Sequence, residues 1–190
     1  IRVLLVDDHP VVRSGYLRLL SQDTDIQVVA EAPNAEEAYA AFVTYAPDVT
    51  ITDLSLPGLG GLGLLQKILS REPQARVLVC SMYDTLPVVQ RALQTGAKGF
   101  VSKNAQPEEL VKAVHALHLG QAYTSEGTLL QDENREFSEE SARIASLTAR
   151  EFEIFRLLSQ GHSVVESAEL MHLSQKTISN HQTQIKEKLQ

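Results

Sequence analysis

The chain has 190 residues, 43% of them hydrophobic and 22% charged, with a net charge of −7. That composition is globular, and no apolar run approaches the roughly 20 residues that a helix needs to cross a bilayer. A single cysteine, Cys80, excludes an internal disulfide and suits a reducing, cytoplasmic setting; it ends an apolar run and reads as buried filler.

The acidity is unevenly spread. Residues 1–119 carry a net −3, residues 120–146 a net −4, and residues 147–190 none, while Ser174 to Gln190 is locally +2. A net negative charge therefore does not exclude nucleic acid, because the last segment is basic. The chain opens at Ile1 rather than Met and shows no secretory signal pattern, so a natural N-terminus upstream is expected.

Residues 1–119 alternate strand and helix signals. The strand candidates are Arg2–Val6, Ile26–Ala30, Val49–Thr52, Arg76–Cys80 and Gly99–Val101. Between them apolar residues recur at helical spacing, as in Val12, Tyr16, Leu19 and Leu20, and in Leu110, Val114 and Leu117. Asn34 before Ala35-Glu36-Glu37 suits an N-cap, and Pro107-Glu108-Glu109 suits another helix start. This alternation predicts an α/β fold, a five-stranded parallel doubly wound sheet in the flavodoxin-like order. Residues 120–146 read as an acidic linker, with some helix around Ser138–Arg143. Residues 147–190 hold two capping boxes, Thr148 to Glu151 and Ser163 to Glu166, and a third N-cap at Ser174. Gly161 sits where the first of these helices should stop, so a small all-α domain is expected.

The chemistry gathers at one sheet edge. Strand Val49–Thr52 delivers Asp53, and Val3-Leu4-Leu5-Val6 runs into Asp7-Asp8. In open α/β sheets, ligands bind at the carboxyl ends of the strands. Three carboxylates there repel one another unless a cation compensates, and hard oxygen ligands without a His/Cys cluster favour Mg²⁺. Singly, each aspartate could equally cap a strand end. Ser81 and Lys103 end the next two strands and supply the hydroxyl and ammonium that a phosphoryl group's oxygens need. Singly, these are an ordinary turn serine and a surface lysine. Together the five make Asp53 a candidate phosphoryl acceptor. No Gly-rich Walker-type loop supports nucleotide binding.

Asp7-Asp8, Asp53 followed by Pro57-Gly58, Ser81, and Gly99-Phe100-Val101-Ser102-Lys103 resemble the receiver domain of bacterial two-component response regulators. The resemblance spans residues 1–119. It implies that Asp53 is phosphorylated by a sensor histidine kinase. Asp8, Asp53 and the Ser55 carbonyl would ligate Mg²⁺, with Asp7 holding it through water. Lys103 would pair with the phosphate, Ser81 would move to bond it, and Phe100 would rotate inward. Many receivers have Pro after the lysine; here Asn104 stands there, and a trans bond is expected. His9 is read as a neighbour of the site rather than a ligand.

Ser163–Met171, His172-Leu173 and Ser174–Leu189 read as helix-turn-helix. On the last helix Ile178, Ile185 and Leu189 share one face, opposite Lys176, Ser179, Asn180, Thr183 and Glu187. By pattern alone this is a plain amphipathic helix as readily as a DNA reader. Leu147-Thr148-Ala149-Arg150-Glu151, Leu157-Leu158-Ser159-Gln160-Gly161 and Leu173 to His181 resemble the LuxR-type output domain. Receiver plus this module is the NarL/FixJ-type arrangement. The resemblance implies base contacts by Ser179, Asn180 and Thr183, and backbone contacts by Gln175, Lys176, Thr177 and Lys186. The partner implied is double-stranded DNA, with a homodimer on an inverted repeat. Three departures stand out: Ser167 replaces a usually apolar residue and Val164-Val165 a usually polar pair, Ser179 replaces a frequent lysine, and the chain stops at Gln190, before the family's fourth helix.

The sequence is therefore read as a cytoplasmic transcription regulator switched by phosphate at Asp53, and not as an enzyme beyond loss of its own phosphate. Rival readings are a phosphorylation-independent regulator of the same architecture, a phosphatase using Asp53 as transient nucleophile, and flavin binding, which lacks aromatic support.

Overall fold

A computed structural model of the chain describes residues 1–125, 143–144 and 146–189. The strands are β1 (Arg2–Val6), β2 (Gln27–Ala32), β3 (Val49–Asp53), β4 (Val77–Ser81), β5 (Gly99–Ser102) and β6 (Tyr123–Thr124). The receiver-side helices are α1 (Pro10–Leu20), α2 (Ala35–Tyr45), α3 (Gly60–Arg71), α4 (Leu86–Thr95) and α5 (Glu108–His118). Three more follow: α6 (Ala149–Ser159), α7 (Val164–Leu170) and α8 (Gln175–Leu189).

All strand pairs are parallel, in the order β2-β1-β3-β4-β5-β6. The flavodoxin-like order is as expected, but among the described residues the sheet has six strands rather than five. β6 falls in the stretch read as linker. Tyr123 pairs with Gly99 and Thr124 with Phe100, and the Tyr123 hydroxyl donates to Glu109 Oε2 at 2.6 Å. Two residues between polar neighbours carry too little pattern to read as a strand, so the sheet edge, not the local sequence, makes it one. The expected helix around Ser138–Arg143 lies largely outside the described residues; Arg143 and Ile144 are helical.

Alternation along the strands separates two cores. Val3, Leu5, Val49, Ile51, Leu78 and Cys80 pack under α1 and α5, with Leu110, Val114 and Leu117 buried as their spacing predicts. Leu4, Val6, Val77, Val79 and Phe100 face the α2–α4 side. That second core does not stop at the receiver. It continues through Leu147, Phe152, Ile154 and Leu157 to Ile178 and Ile185, so α6 packs on α3 and the two halves share one apolar cluster.

The caps are built as the sequence predicts. Asn34 Oδ1 accepts from Glu37 N at 2.9 Å, and both capping boxes are closed in both directions. Ser174 Oγ accepts from Thr177 N at 3.1 Å. Such caps are each worth about 1 kcal/mol. Gly161 ends α6 with φ +90°, a left-handed conformation that suits glycine. Lys188 at the end of α8 donates to both Glu151 carboxylate oxygens, at 2.8 and 2.6 Å, clamping α8 onto α6.

The departure at Ser167 has a structural consequence. The residue is fully buried where α7 packs, and its hydroxyl has no hydrogen-bond partner among the described residues. A buried hydroxyl without a partner loses its hydration for nothing in return. Ser167→Ala should therefore stabilise the chain by about 1 kcal/mol, read as a higher urea midpoint; an equal or lower midpoint would contradict the unsatisfied hydroxyl.

Candidate functional site

β1 and β3 are neighbours, with Val6 opposite Thr52, so Asp7 and Asp53 leave the sheet side by side. This is the topological switch point, because the chain winds to β2 on one side of β1 and to β3 on the other. Ligand atoms of Asp7, Asp8, His9 and Asp53 all lie within 4.8 Å of one another. Lys103 enters from the end of β5, held by its N–H to the Ser81 carbonyl at 2.8 Å. Its Nζ lies 2.6 Å from Asp7 Oδ2 and 2.9 Å from Asp53 Oδ2. Asp7 and Asp53 are only 2% and 3% exposed, so this ammonium neutralises charge that water barely reaches. Burial alone would lower the Lys103 pKa; Asp53 and Asp7 outweigh it and hold it above the ordinary lysine value.

The remaining oxygens differ in how well they are satisfied. Asp53 Oδ1 accepts from Ser55 N at 3.1 Å, and Asp7 Oδ1 accepts from His9 N at 2.8 Å. Asp8 Oδ1 is buried and without a hydrogen bond, although His9 Nδ1 lies at an ion-pair distance of 2.8 Å. Burial raises the Asp8 pKa; His9 opposes the rise, while Asp53 and Asp7 add to it. A buried carboxylate oxygen aimed at two further carboxylates fits a hard divalent cation. Imidazole nitrogen is a poorer match for such an ion than oxygen, and His9 is largely exposed.

Ser81 and Phe100 lie close by but outside this contact set. The Ser81 hydroxyl is fully buried and accepts from Tyr83 N at 3.1 Å, and Phe100 is fully buried. The Lys103–Asn104 bond is trans, as expected. Cys80 is the buried filler expected: its Sγ lies 3.3 Å from the Tyr16 hydroxyl, and burial pushes the thiol up to about 12.

Two features of the site were not read from the sequence. The first is the Gly60-Gly61 pair opening α3, where a Cβ on Gly61 would sit 2.0 Å from the Asp53 carbonyl oxygen. The run Gly58, Gly60, Gly61, Gly63 was a visible signal for close backbone approach. The second is the output domain's approach to the site. Arg150 Nη1 donates to the Gly58 carbonyl, and the Arg156 guanidinium stacks 5.3 Å from the centre of the Tyr83 ring. Arg91 donates across to the Leu147 carbonyl, and a cavity of about 200 Å³ lies between α4 and α6.

On α8, Ile178 and Ile185 are buried and Leu189 is half-buried, as predicted. Gln175, Lys176, Ser179, Asn180, Thr183 and Lys186 are exposed, and Thr177 is half-buried beside its Ser174 cap. The six lie on the solvent side of α8 in this arrangement of the halves.

A doubly wound parallel sheet with three carboxylates and a lysine at its switch point, followed by a helix-turn-helix, defines a signal receiver joined to a DNA-binding module. Residues 3–115 match the response regulator receiver domain family, and residues 145–190 match the luxR family of bacterial regulatory proteins. The chain belongs to the response regulators that join these two domains. It is 34% identical to oxygen regulatory protein NreC of Staphylococcus aureus strain MRSA252, across 99% of this chain and 90% of that protein. Among solved structures it is similar to a LuxR-family two-component response regulator from Aurantimonas, at 38% identity and TM-score 0.66, over 69% of this chain and 93% of that one. It is also similar to RcsB of Salmonella enterica serovar Typhimurium bound to a promoter with the phosphomimetic BeF3−. That match has 27% identity and TM-score 0.71, over all of this chain and 92% of that one.

Lys103→Gln leaves Asp7 and Asp53 buried without their ammonium, which should cost about 3 kcal/mol. Thermal melts should also show Mg²⁺ stabilising this variant more than the parent chain. Equal stability with and without Lys103 would mean that the carboxylates do not need it.

Proposed function

We propose that the chain is a phosphorylation-controlled bacterial transcription regulator whose input is Asp53. The observation that carries this is the Lys103 ammonium bridging Asp7 and Asp53, beside an unsatisfied Asp8 oxygen. An Asp53 carboxylate oxygen attacks phosphorus on a sensor histidine kinase, forming an acyl phosphate as the donor's bond to phosphorus breaks. Lys103 is placed to follow the charge from the carboxylate to the new phosphoryl oxygens. Asp8, Asp53 and the Ser55 carbonyl would hold Mg²⁺, with Asp7 holding it through water, and the ion would supply positive charge to offset that of the transferring group. The Ser81 hydroxyl then turns from Tyr83 N toward the phosphoryl group, with Phe100 filling the space behind it.

The division into a receiver over residues 1–119, a linker over 120–146 and an output domain over 147–190 accompanies this reading, with the start of the linker lending Tyr123–Thr124 to the receiver's sheet. Ser179, Asn180 and Thr183 meet base edges, while Gln175, Lys176, Thr177 and Lys186 meet the backbone. The exposure of all but half-buried Thr177 on α8 supports this, as does the promoter-bound state of RcsB. The active species is a homodimer on an inverted repeat in the cytoplasm. Among the described residues no helix is long and apolar enough to cross a membrane. The only chemistry beyond switching is loss of the phosphoryl group to water.

Incubation with Mg²⁺ and acetyl phosphate should add one phosphoryl group at Asp53, located by mass spectrometry. Asp53→Asn should abolish it; undiminished label, or none in either protein, refutes the assignment. Lys176→Ala should weaken binding to every duplex and flatten the salt dependence, whereas Asn180→Ala should mainly erode sequence preference, costing about 1–3 kcal/mol on the preferred site. Equal losses on specific and random DNA for both variants would overturn this division of labour.

A further inference from the structure

Glu153 belongs to the output domain, yet it is 2% exposed where α6 packs on the receiver. Its Oε2 accepts from Arg156 Nε at 3.1 Å, and its Oε1 is buried with no hydrogen bond among the described residues. Facing it is the first turn of α3. Gly60 has φ +74°, and a Cβ there would lie 2.8 Å from Glu153 Cγ. The next residue, Gly61, lies so close to Asp53 that a Cβ would strike its carbonyl oxygen. Two consecutive glycines are thus the spacer between the phosphoacceptor's backbone and a carboxylate of the output domain.

The charges acting on Glu153 are Arg156 and Arg150 on its own helix and Asp53 across the glycines. Burial pushes its carboxyl up to about 7; Arg156 opposes the rise and Asp53 adds to it. Docking is therefore easiest while Glu153 carries a proton. The apolar residues around it hold α6 in place, and the ionised carboxylate works against them.

We propose that Glu153 is the group through which the output domain senses charge at Asp53: it stays docked while Asp53 is unmodified, and added negative charge expels it together with α6. This rests on Asp53 being the phosphoacceptor. Phosphorylation replaces a single negative charge by a dianion, and the repulsion acts through two glycines rather than through water. Neutral Gln in the same place would fill the same volume and feel no such repulsion.

Protonation limits the response and gives it a signature. At pH 8, one unit above the docked pKa of about 7, added charge can weaken docking by at most about tenfold through Glu153, after which the carboxyl takes up a proton instead. At pH 6 the docked carboxyl already holds its proton, and the response through it vanishes. Docking itself is favoured at low pH and weakens as pH rises through the window from the ordinary glutamate value of 4.5 to about 7.

The test is hydrogen–deuterium exchange on the full chain with Mg²⁺, with and without beryllofluoride, following peptides from α3 and α6. ¹⁹F NMR reports beryllofluoride binding separately. At pH 8 the parent chain should show both peptides exchanging faster, by up to about tenfold, whereas Glu153→Gln should change less than twofold. At pH 6, after correction for intrinsic rates, the parent chain should change less than twofold. Equal opening of parent and variant with beryllofluoride bound to both, or equal opening of the parent at both pH values, overturns the role of Glu153. Absence of bound beryllofluoride instead overturns the phosphoacceptor reading, and this proposal with it. If circular dichroism shows Glu153→Gln unfolded, Glu153→Met serves as the comparison, and the two-pH measurement on the parent chain stands without either variant.

Discussion

Asp7 and Asp53 are buried carboxylates on neighbouring strands, and the Lys103 ammonium between them makes their proximity tolerable. Lys103 can reach them only because β5 lies beyond β4 in the sheet and its backbone N–H is fixed to the Ser81 carbonyl. Buried ion pairs of this kind are poor sources of net stability, since desolvation offsets most of the attraction. They set registry and leave a charge balance that is easily tipped. Three carboxylates against one ammonium leave the cluster negative, and Asp8, with an unsatisfied oxygen, bears the imbalance.

The route from this cluster to the output domain is short. Ser81 is two residues from Tyr83 and bonds its N–H, and Tyr83 carries the stacked Arg156 of α6. Ser102, beside Lys103, donates to Asp84 Oδ2 at 2.6 Å, and its N–H is held by Ser125 Oγ just beyond β6. The loop after β4 is thereby tied to the end of β5 and to the sheet's sixth strand. A rearrangement at Ser81 has to be shared by all three. Because the polar face of α8 is already exposed, such a rearrangement bears on how the output domain is positioned rather than on uncovering those side chains.

What was legible in the sequence follows from the range of the forces involved. Strand alternation, caps and the two capping boxes are local, and they form where the pattern puts them, within two residues at the strand ends. The acidic cluster was legible because strand ends in a parallel sheet converge, so residues distant in sequence share one edge. β6 was not, because two residues acquire strand geometry only by pairing on an edge that the rest of the fold supplies. Glu153 was not either. It reads as one more charged position on an amphipathic helix, and its burial depends on where Gly60 lies, 93 positions earlier in the chain. Ser167 lies between these cases: its departure from an apolar pattern was visible, but the stranded hydroxyl is a property of the packing.

The interface between the halves combines two terms of opposite sign. Phe152, Ile154 and Leu157 extend the receiver's own core into the output domain, and burial of apolar side chains in that shared cluster favours docking. Against this stand a carboxylate oxygen with no partner and guanidinium groups of Arg91 and Arg150 whose pKa values burial lowers. Arg91, Arg150 and Arg156 reach across to the Leu147 carbonyl, the Gly58 carbonyl and the Tyr83 ring, and Glu151 and Glu36 attract Arg91 and Arg150 from the opposite half. The interface is thus held by apolar contact and opposed by a buried carboxylate oxygen of Glu153. Negative charge added at the neighbouring carboxylate cluster would raise that opposition further, through the Asp53 repulsion that already acts on Glu153.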